Sequence, residues 1–162
     1  MPTIYDFSLP TLTGDSTIAL EQYRGRPIVI ANTASKCGFT PQYEALQHIW
    51  TEFASEGLVV IGVPSNDFGN QEPGDAAAIS ETCHRNYGVS FPMAAKSHVK
   101  GHDAIPLFRW LSEQGGFLAR PRWNFYKYIF SRDGMLSNWF TPLTDPAGPR
   151  MSQALQRVIL DR

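Results

Sequence analysis

Residues Pro27–Tyr43 read PIVIANTASKCGFTPQY, and the order of residue types in this stretch sets the architecture. Pro27–Thr33 is β-branched and apolar, the pattern of a central strand covered on both faces. Pro41 stands where a helix takes its first residue, and Thr40 is placed to cap it. From there Tyr43, Leu46, Ile49, Trp50 and Phe53 recur on one helical face. Cys37 lies between strand and helix. A thiol at such a junction meets unpaired backbone N–H groups and the positive end of the helix dipole, and both favour thiolate over thiol. Lys36 adds a cation, and Gly38 leaves space beside the sulfur.

Downstream, Gly57 ends the helix, and LVVIGV (Leu58–Val63) reads as a second buried, parallel strand. The loop Pro64–Gly74 is full of Asn, Asp, Gly and Pro and leads into a helix over about Asp75–Tyr87. Ser90–Ala95 is expected to be a third short strand and Ile105–Glu113 a helix. Tyr126–Ser131 and Met135–Phe140 flank the turn signal Asp133-Gly134, and Gly148–Leu160 closes the chain as a helix. Upstream, Leu9–Gly14 has turn chemistry ahead of Ser16–Leu20, which predicts an N-terminal β-hairpin. Strand–helix alternation followed by a hairpin implies an α/β chain with a thioredoxin-like fold. Its mixed central sheet is parallel early, antiparallel late, and flanked by helices. A chain of 162 residues fits one such domain over 1–162.

Composition narrows the function. The chain is 43% hydrophobic and 18% charged, with a formal net charge of −1 and no long Lys/Arg run. Nucleic-acid binding needs clustered cations, so no such partner is expected. The apolar runs are far too short to span a bilayer, which argues against stable membrane insertion. No basic patch followed by an apolar run opens the chain, so a cytoplasmic setting is expected. Two cysteines, Cys37 and Cys83, are too few for a disulfide scaffold, and neither belongs to a CxxC or zinc pattern. Thr40 occupies the place of a second CxxC thiol. His98 and His102 are four apart, but Gly101 between them favours a turn and no third ligand is in register; they read as solvated, with no metal or cofactor. A peroxiredoxin PxxxTxxC pattern would need Thr where Ala34 stands.

Three segments go further. NTASKCGFTPQY (Asn32–Tyr43), LVVIGVPSNDFGNQEPG (Leu58–Gly74) and WNFYKYIF (Trp123–Phe130) resemble, in order, the three signatures of the glutathione peroxidase family. With the framework between them, the resemblance covers nearly the whole chain. It implies a catalytic set of Cys37, Gln71, Trp123 and Asn124, in which the sulfur attacks a peroxide and the amides and indole hydrogen-bond the thiolate or the peroxide oxygens. The chain departs from the family at Ser65 and Asp67, where Cys and Gln are common. Asp67 inside the site would oppose a thiolate, with Arg122 available to offset it.

ETCHRNYGVSFP (Glu81–Pro92) is similar to the resolving-cysteine segment of the family's thioredoxin-dependent branch. The resemblance therefore implies a thiol peroxidase for hydrogen peroxide and organic hydroperoxides. Cys37 becomes a sulfenic acid, Cys83 condenses with it to a disulfide, and thioredoxin reduces the disulfide. Because Cys83 falls on an expected helix, that helix must unwind locally during turnover. A peroxide sensor or redox relay would use the same two thiols, and glutathione is an alternative reductant through Lys36, Arg120 and Arg122. The lack of a long insertion before WNFYKYIF, which tetrameric branches carry, implies a monomer.

Overall fold

The computed structural model describes residues 2–161. Along the chain these form β1 (Ser8–Pro10), β2 (Thr17–Ala19), β3 (Ile28–Thr33), α1 (Gln42–Phe53), β4 (Val59–Pro64) and α2 (Ala76–Ser80). Then come α3 (Pro106–Gly115), β5 (Lys127–Phe130), β6 (Leu136–Phe140) and α4 (Pro149–Leu160). β1 and β2 pair as the expected antiparallel N-terminal hairpin. The main sheet runs β4-β3-β5-β6, with β3 parallel to β4 and the other two pairings antiparallel. This is the mixed, thioredoxin-like sheet expected from the alternation of elements.

Strand periodicity divides the core in two. Val29 and Ala31 of β3, Val60 of β4 and Ile129 of β5 point to one face, where they meet Tyr43, Leu46 and Ile49 of α1 and Met151, Leu155 and Val158 of α4. Ile28 and Ile30, Val59 and Ile61, and Tyr128 and Phe130 point to the other, against Leu107, Phe108 and Leu111 of α3 and Leu9 and Ile18 of the N-terminal hairpin. Every residue of β3 and β4 is buried, which is why both read as continuous apolar runs. The β5–β6 turn closes through Gly134, at φ 84°, where an added Cβ would come within 2.7 Å of Thr3 Cβ.

Three local expectations change. Ser90–Ala95 is not a strand: it touches the sheet only through isolated bridges, Gly62 with Met93 and Thr11 with Ala94. Pro92 has no N–H to extend a ladder. The helix expected over Asp75–Tyr87 starts where it should, with the Asp75 carboxylate accepting from Ala78 N–H (3.0 Å), but α2 gives way to a π-helical stretch, Glu81–Asn86. Thr40 does not cap α1. Its hydroxyl accepts from Cys37 N–H and donates to the Ala34 carbonyl, both at 2.9 Å, so it closes the turn that carries the thiol.

Lys127 opens β5 from a fully buried position. Its ammonium donates to Gln42 Oε1 (2.9 Å) and to the carbonyls of Thr141 (2.8 Å) and Thr144 (2.7 Å), tying α1 to the segment after β6. Burial pulls its pKa down to about 7, against a weaker upward pull from Asp145. Above that value the folded chain has released a proton that the unfolded chain keeps, so stability rises with pH, by up to about 1.4 kcal/mol per unit. Chemical denaturation at about pH 7 and about pH 8.5 should show the native protein gaining stability relative to Lys127→Met, which lacks the titrating group. Parallel changes in the two proteins would mean that Lys127 stays charged throughout.

Candidate active site

β3 and β4 are parallel and end at the same edge of the sheet, while antiparallel β5 begins there. Three loops therefore meet: the one after β3 with Cys37, the one after β4 with Gln71, and the one before β5 with Trp123 and Asn124. The topology brings together segments that are far apart in sequence.

Hydrogen bonds lock the three loops. Lys36 N–H donates to the Gln71 carbonyl at 3.0 Å, joining the first to the second. Asn124 Nδ2 donates to Gln71 Oε1 at 2.9 Å and to the Phe68 carbonyl at 3.5 Å, joining the second to the third. Asn32, fully buried at the end of β3, joins the first to the third. Its Nδ2 donates to the Trp123 carbonyl at 2.8 Å, and its own carbonyl accepts from Phe125 N–H at 2.6 Å. Phe125 adopts φ 64°, a left-handed conformation costly for a bulky residue, and this reverses the chain straight after Trp123-Asn124. Gly69 makes room for the indole: a Cβ there would lie 2.9 Å from Trp123 Cη2 and 3.5 Å from Gln71 Cγ. The ring packs on Phe68, centroids 6.3 Å apart.

Cys37 is buried, with 8% of the residue exposed. Sγ accepts from Phe39 N–H at 3.3 Å, the backbone donor expected at a strand-to-helix junction. Among the described residues, no hydrogen bond runs to this sulfur from the side chains of Gln71, Trp123 or Asn124. The Asn124 amide is spent on Gln71 and Phe68, so it holds the Gln71 side chain through its carbonyl oxygen.

Asp67 does not enter the site. Its carboxylate accepts from His98 Nδ1 (2.8 Å), Val99 N–H (2.7 Å) and Lys100 N–H (3.2 Å), bracing the loop beyond residue 95. Burial pushes its pKa up, but these hydrogen bonds together outweigh burial and hold it below the usual carboxylate value. No offset is needed from Arg122, which instead donates to the Leu118 carbonyl at 3.0 Å. His98, paired with Asp67, is exposed, and no metal-binding cluster forms among the described residues.

Cys83 is fully buried in the π-helical stretch and shares an apolar cluster with Cys37; both thiols are free. Burial pushes the Cys83 thiol up to about 11. Sequence reasoning missed Asn32 and Glu72. Asn32 stood out only as a polar residue ending an apolar strand, and Glu72 lay in a loop without periodicity. Glu72 is fully buried, and its Oε2 accepts from Ser35 N–H at 2.6 Å.

Comparison with known proteins agrees with this geometry. A family description for glutathione peroxidase matches residues 4–112. A glutathione peroxidase homolog, BsaA, of Halalkalibacterium halodurans is 46% identical over 146 residues, covering 89% of this chain and 92% of the relative. A glutathione peroxidase-like peroxiredoxin, GPX5, of Chlamydomonas reinhardtii is 42% identical over 148 residues, covering 90% and 91%. The crystal structure of Trgpx in its apo form superposes with a TM-score of 0.79 at 32% identity, over 98% of this chain and 95% of that one. The chain belongs to the glutathione peroxidase family.

Proposed function

We propose that this chain, as one domain over 1–162, is a cytoplasmic, monomeric thiol peroxidase that reduces hydrogen peroxide and organic hydroperoxides. Cys37 attacks the peroxide O–O bond and becomes a sulfenic acid, and Cys83 condenses with it to a disulfide that thioredoxin reduces. The observation that carries the reading is the placement of Cys37 Sγ against a backbone N–H at the meeting point of three loops. The Gln71 side chain there is held by Asn124, which leaves its amide hydrogens for an incoming or departing oxygen. Trp123, its ring packed over Gly69, comes from the loop that meets the other two at this edge of the sheet.

The state of Cys83 fits a resolving role. A π-helical stretch is rare and recurs at functional sites. The stretch ends at Asn86, and Gly88, two residues on, turns the chain at a φ of 67°. Local unwinding there frees Cys83 to meet the sulfenic acid. For glutathione as the alternative reductant, Arg120 and Arg122 line, with Lys100, a cavity of about 440 Å³ beside Phe68, but neither Lys36 nor Cys37 lines it.

A coupled assay following NADPH loss with thioredoxin, thioredoxin reductase and a hydroperoxide tests the reading. Cys37→Ser should be inactive, whereas Cys83→Ser should undergo one oxidation event and stall. Mass spectrometry of the peroxide-treated native protein should find a Cys37–Cys83 bond; a persistent sulfenic acid or a glutathione adduct alone would reject Cys83 as the resolving thiol. Stopped-flow oxidation should slow by about 10²–10³-fold in Gln71→Ala. Since Asn124 acts through Gln71, adding Asn124→Ala to that variant should cost little more. Additive losses would instead place both amides on the reacting oxygens.

A further inference from the structure

In and beside the Cys37 and Gln71 loops, the buried Ser35 Oγ and Glu72 Oε1 have no hydrogen-bond partner. Such orphans are rare in folded proteins and call for an explanation. The acidic one is the more costly, because Glu72 is completely buried while one carboxylate oxygen is left unused. The other, Oε2, takes the Ser35 N–H, two residues before Cys37. Ser35 and Glu72 also wall a cavity of about 50 Å³ that reaches Ala78, Ile79 and Thr82, the helical turn leading into Cys83. A cavity of that size accommodates a single water, whose share of liquid volume is about 30 Å³. The charge of Glu72 acts on both Cys83 and Tyr43.

We propose that Glu72 is the general base of the resolving step, taking the Cys83 thiol proton on Oε1 once the π-helical stretch opens and the thiol leaves the Ser80 carbonyl, to which it donates at 3.9 Å in the closed chain. The inference rests on the peroxidase reading above. The Cys83 S–H proton passes to the carboxylate, and the thiolate attacks the sulfur of the Cys37 sulfenic acid. The S–S bond forms as the S–O bond breaks. The departing hydroxide takes up the proton and leaves as water, and Glu72 returns to its ionised form. No outside oxidant is required beyond the peroxide that made the sulfenic acid.

The step needs such a base. With its thiol pushed up to about 11 by burial, Cys83 holds almost no thiolate near neutrality. Burial likewise raises Glu72, partly countered by its bond from Ser35, and a raised carboxylate is better matched to accepting a thiol proton. Ionised Glu72 opposes a thiolate at Cys83, and protonating Glu72 removes that opposition as the thiolate appears. The groups around the carboxylate come from separate elements: Ser35 from the Cys37 loop, Tyr43 from α1, Cys83 from the π-helical stretch, and Lys96. The Lys96 ammonium is engaged by the carbonyls of Glu72 (3.2 Å) and Gly74 (2.7 Å).

The test uses the full chain and Glu72→Gln, which keeps an acceptor oxygen for Ser35 N–H and removes the base. Reduced protein is mixed with hydrogen peroxide, and sulfenic acid and disulfide are followed by rapid quench, trapping and mass spectrometry from about pH 6 to about pH 9. Disulfide formation in the native protein should be nearly flat through neutral pH. In Glu72→Gln it should be at least about 100-fold slower at neutral pH and should climb about tenfold per pH unit, as spontaneous ionisation of Cys83 takes over. A native rate and a flat profile in Glu72→Gln would overturn the proposal. If that variant does not fold, the native profile decides: a tenfold climb per unit would mean that no base assists. Failure of the native protein to form any Cys37–Cys83 bond would remove the peroxidase reading itself, whereas a normal bond with unaltered Glu72→Gln kinetics removes only the base.

Discussion

The Asn32 side chain spans the gap between the end of β3 and the loop before β5, and the site depends on that span. One residue donates to the Trp123 carbonyl and accepts, through its own carbonyl, from Phe125 N–H. The pair holds Phe125 in a left-handed conformation that it would not adopt alone, and that reversal places Trp123-Asn124 at the sheet edge. Removing either bond in this fully buried setting would leave an unpaired backbone group, which costs more than a bond made and lost in water. The β3–β4 parallel pairing then aligns the Cys37 and Gln71 loops beside it, and Lys36 N–H fastens them together.

Around that edge the molecule keeps polar atoms buried and unsatisfied, which a structural core avoids. Asn124 Oδ1, Glu72 Oε1, Ser35 Oγ and Thr33 Oγ1 all lack partners, and all lie in or next to the three loops. Other buried polar groups are paired: Lys127 places its ammonium on three acceptors, and Tyr128 Oη donates to the Ala119 carbonyl at 2.6 Å, although Trp110 Nε1 on α3 is also without a partner. Cys37 and Cys83 differ in their surroundings. The first keeps a slight exposure and takes a backbone donor; the second is sealed in apolar packing and stays protonated until the structure around it changes.

Much of the architecture was legible because apolar runs and turn residues report on burial directly. Pro27–Thr33 and Leu58–Val63 read as doubly covered strands and are so, to within a residue, and Asp133-Gly134 marked its hairpin turn. Short polar-flanked segments were less legible. Ser90–Ala95 has strand-like composition, but Pro92 and the absence of a second ladder reduce it to two bridges. Thr40 has the right type and position for a helix cap, yet a closer N–H, that of Cys37, captures its hydroxyl. Asp67 looked like an acid in the site because loop sequence does not say which way a side chain turns; three donors from His98–Lys100 turn it outward.

By itself the sequence determined the element order, the two-faced strands, the thiol at a strand-to-helix junction and the family resemblance. Each of these follows from residue types at fixed local spacing, and local spacing survives without a folded chain. Only the tertiary structure decided that Asn124 donates to Gln71, that Cys83 rides on π-helical turns, and that Glu72 is sealed in with one unpartnered oxygen. Those outcomes depend on which donor wins a contested acceptor and on how much water is excluded. Both are set by groups tens of residues apart that approach one another only when the sheet has formed.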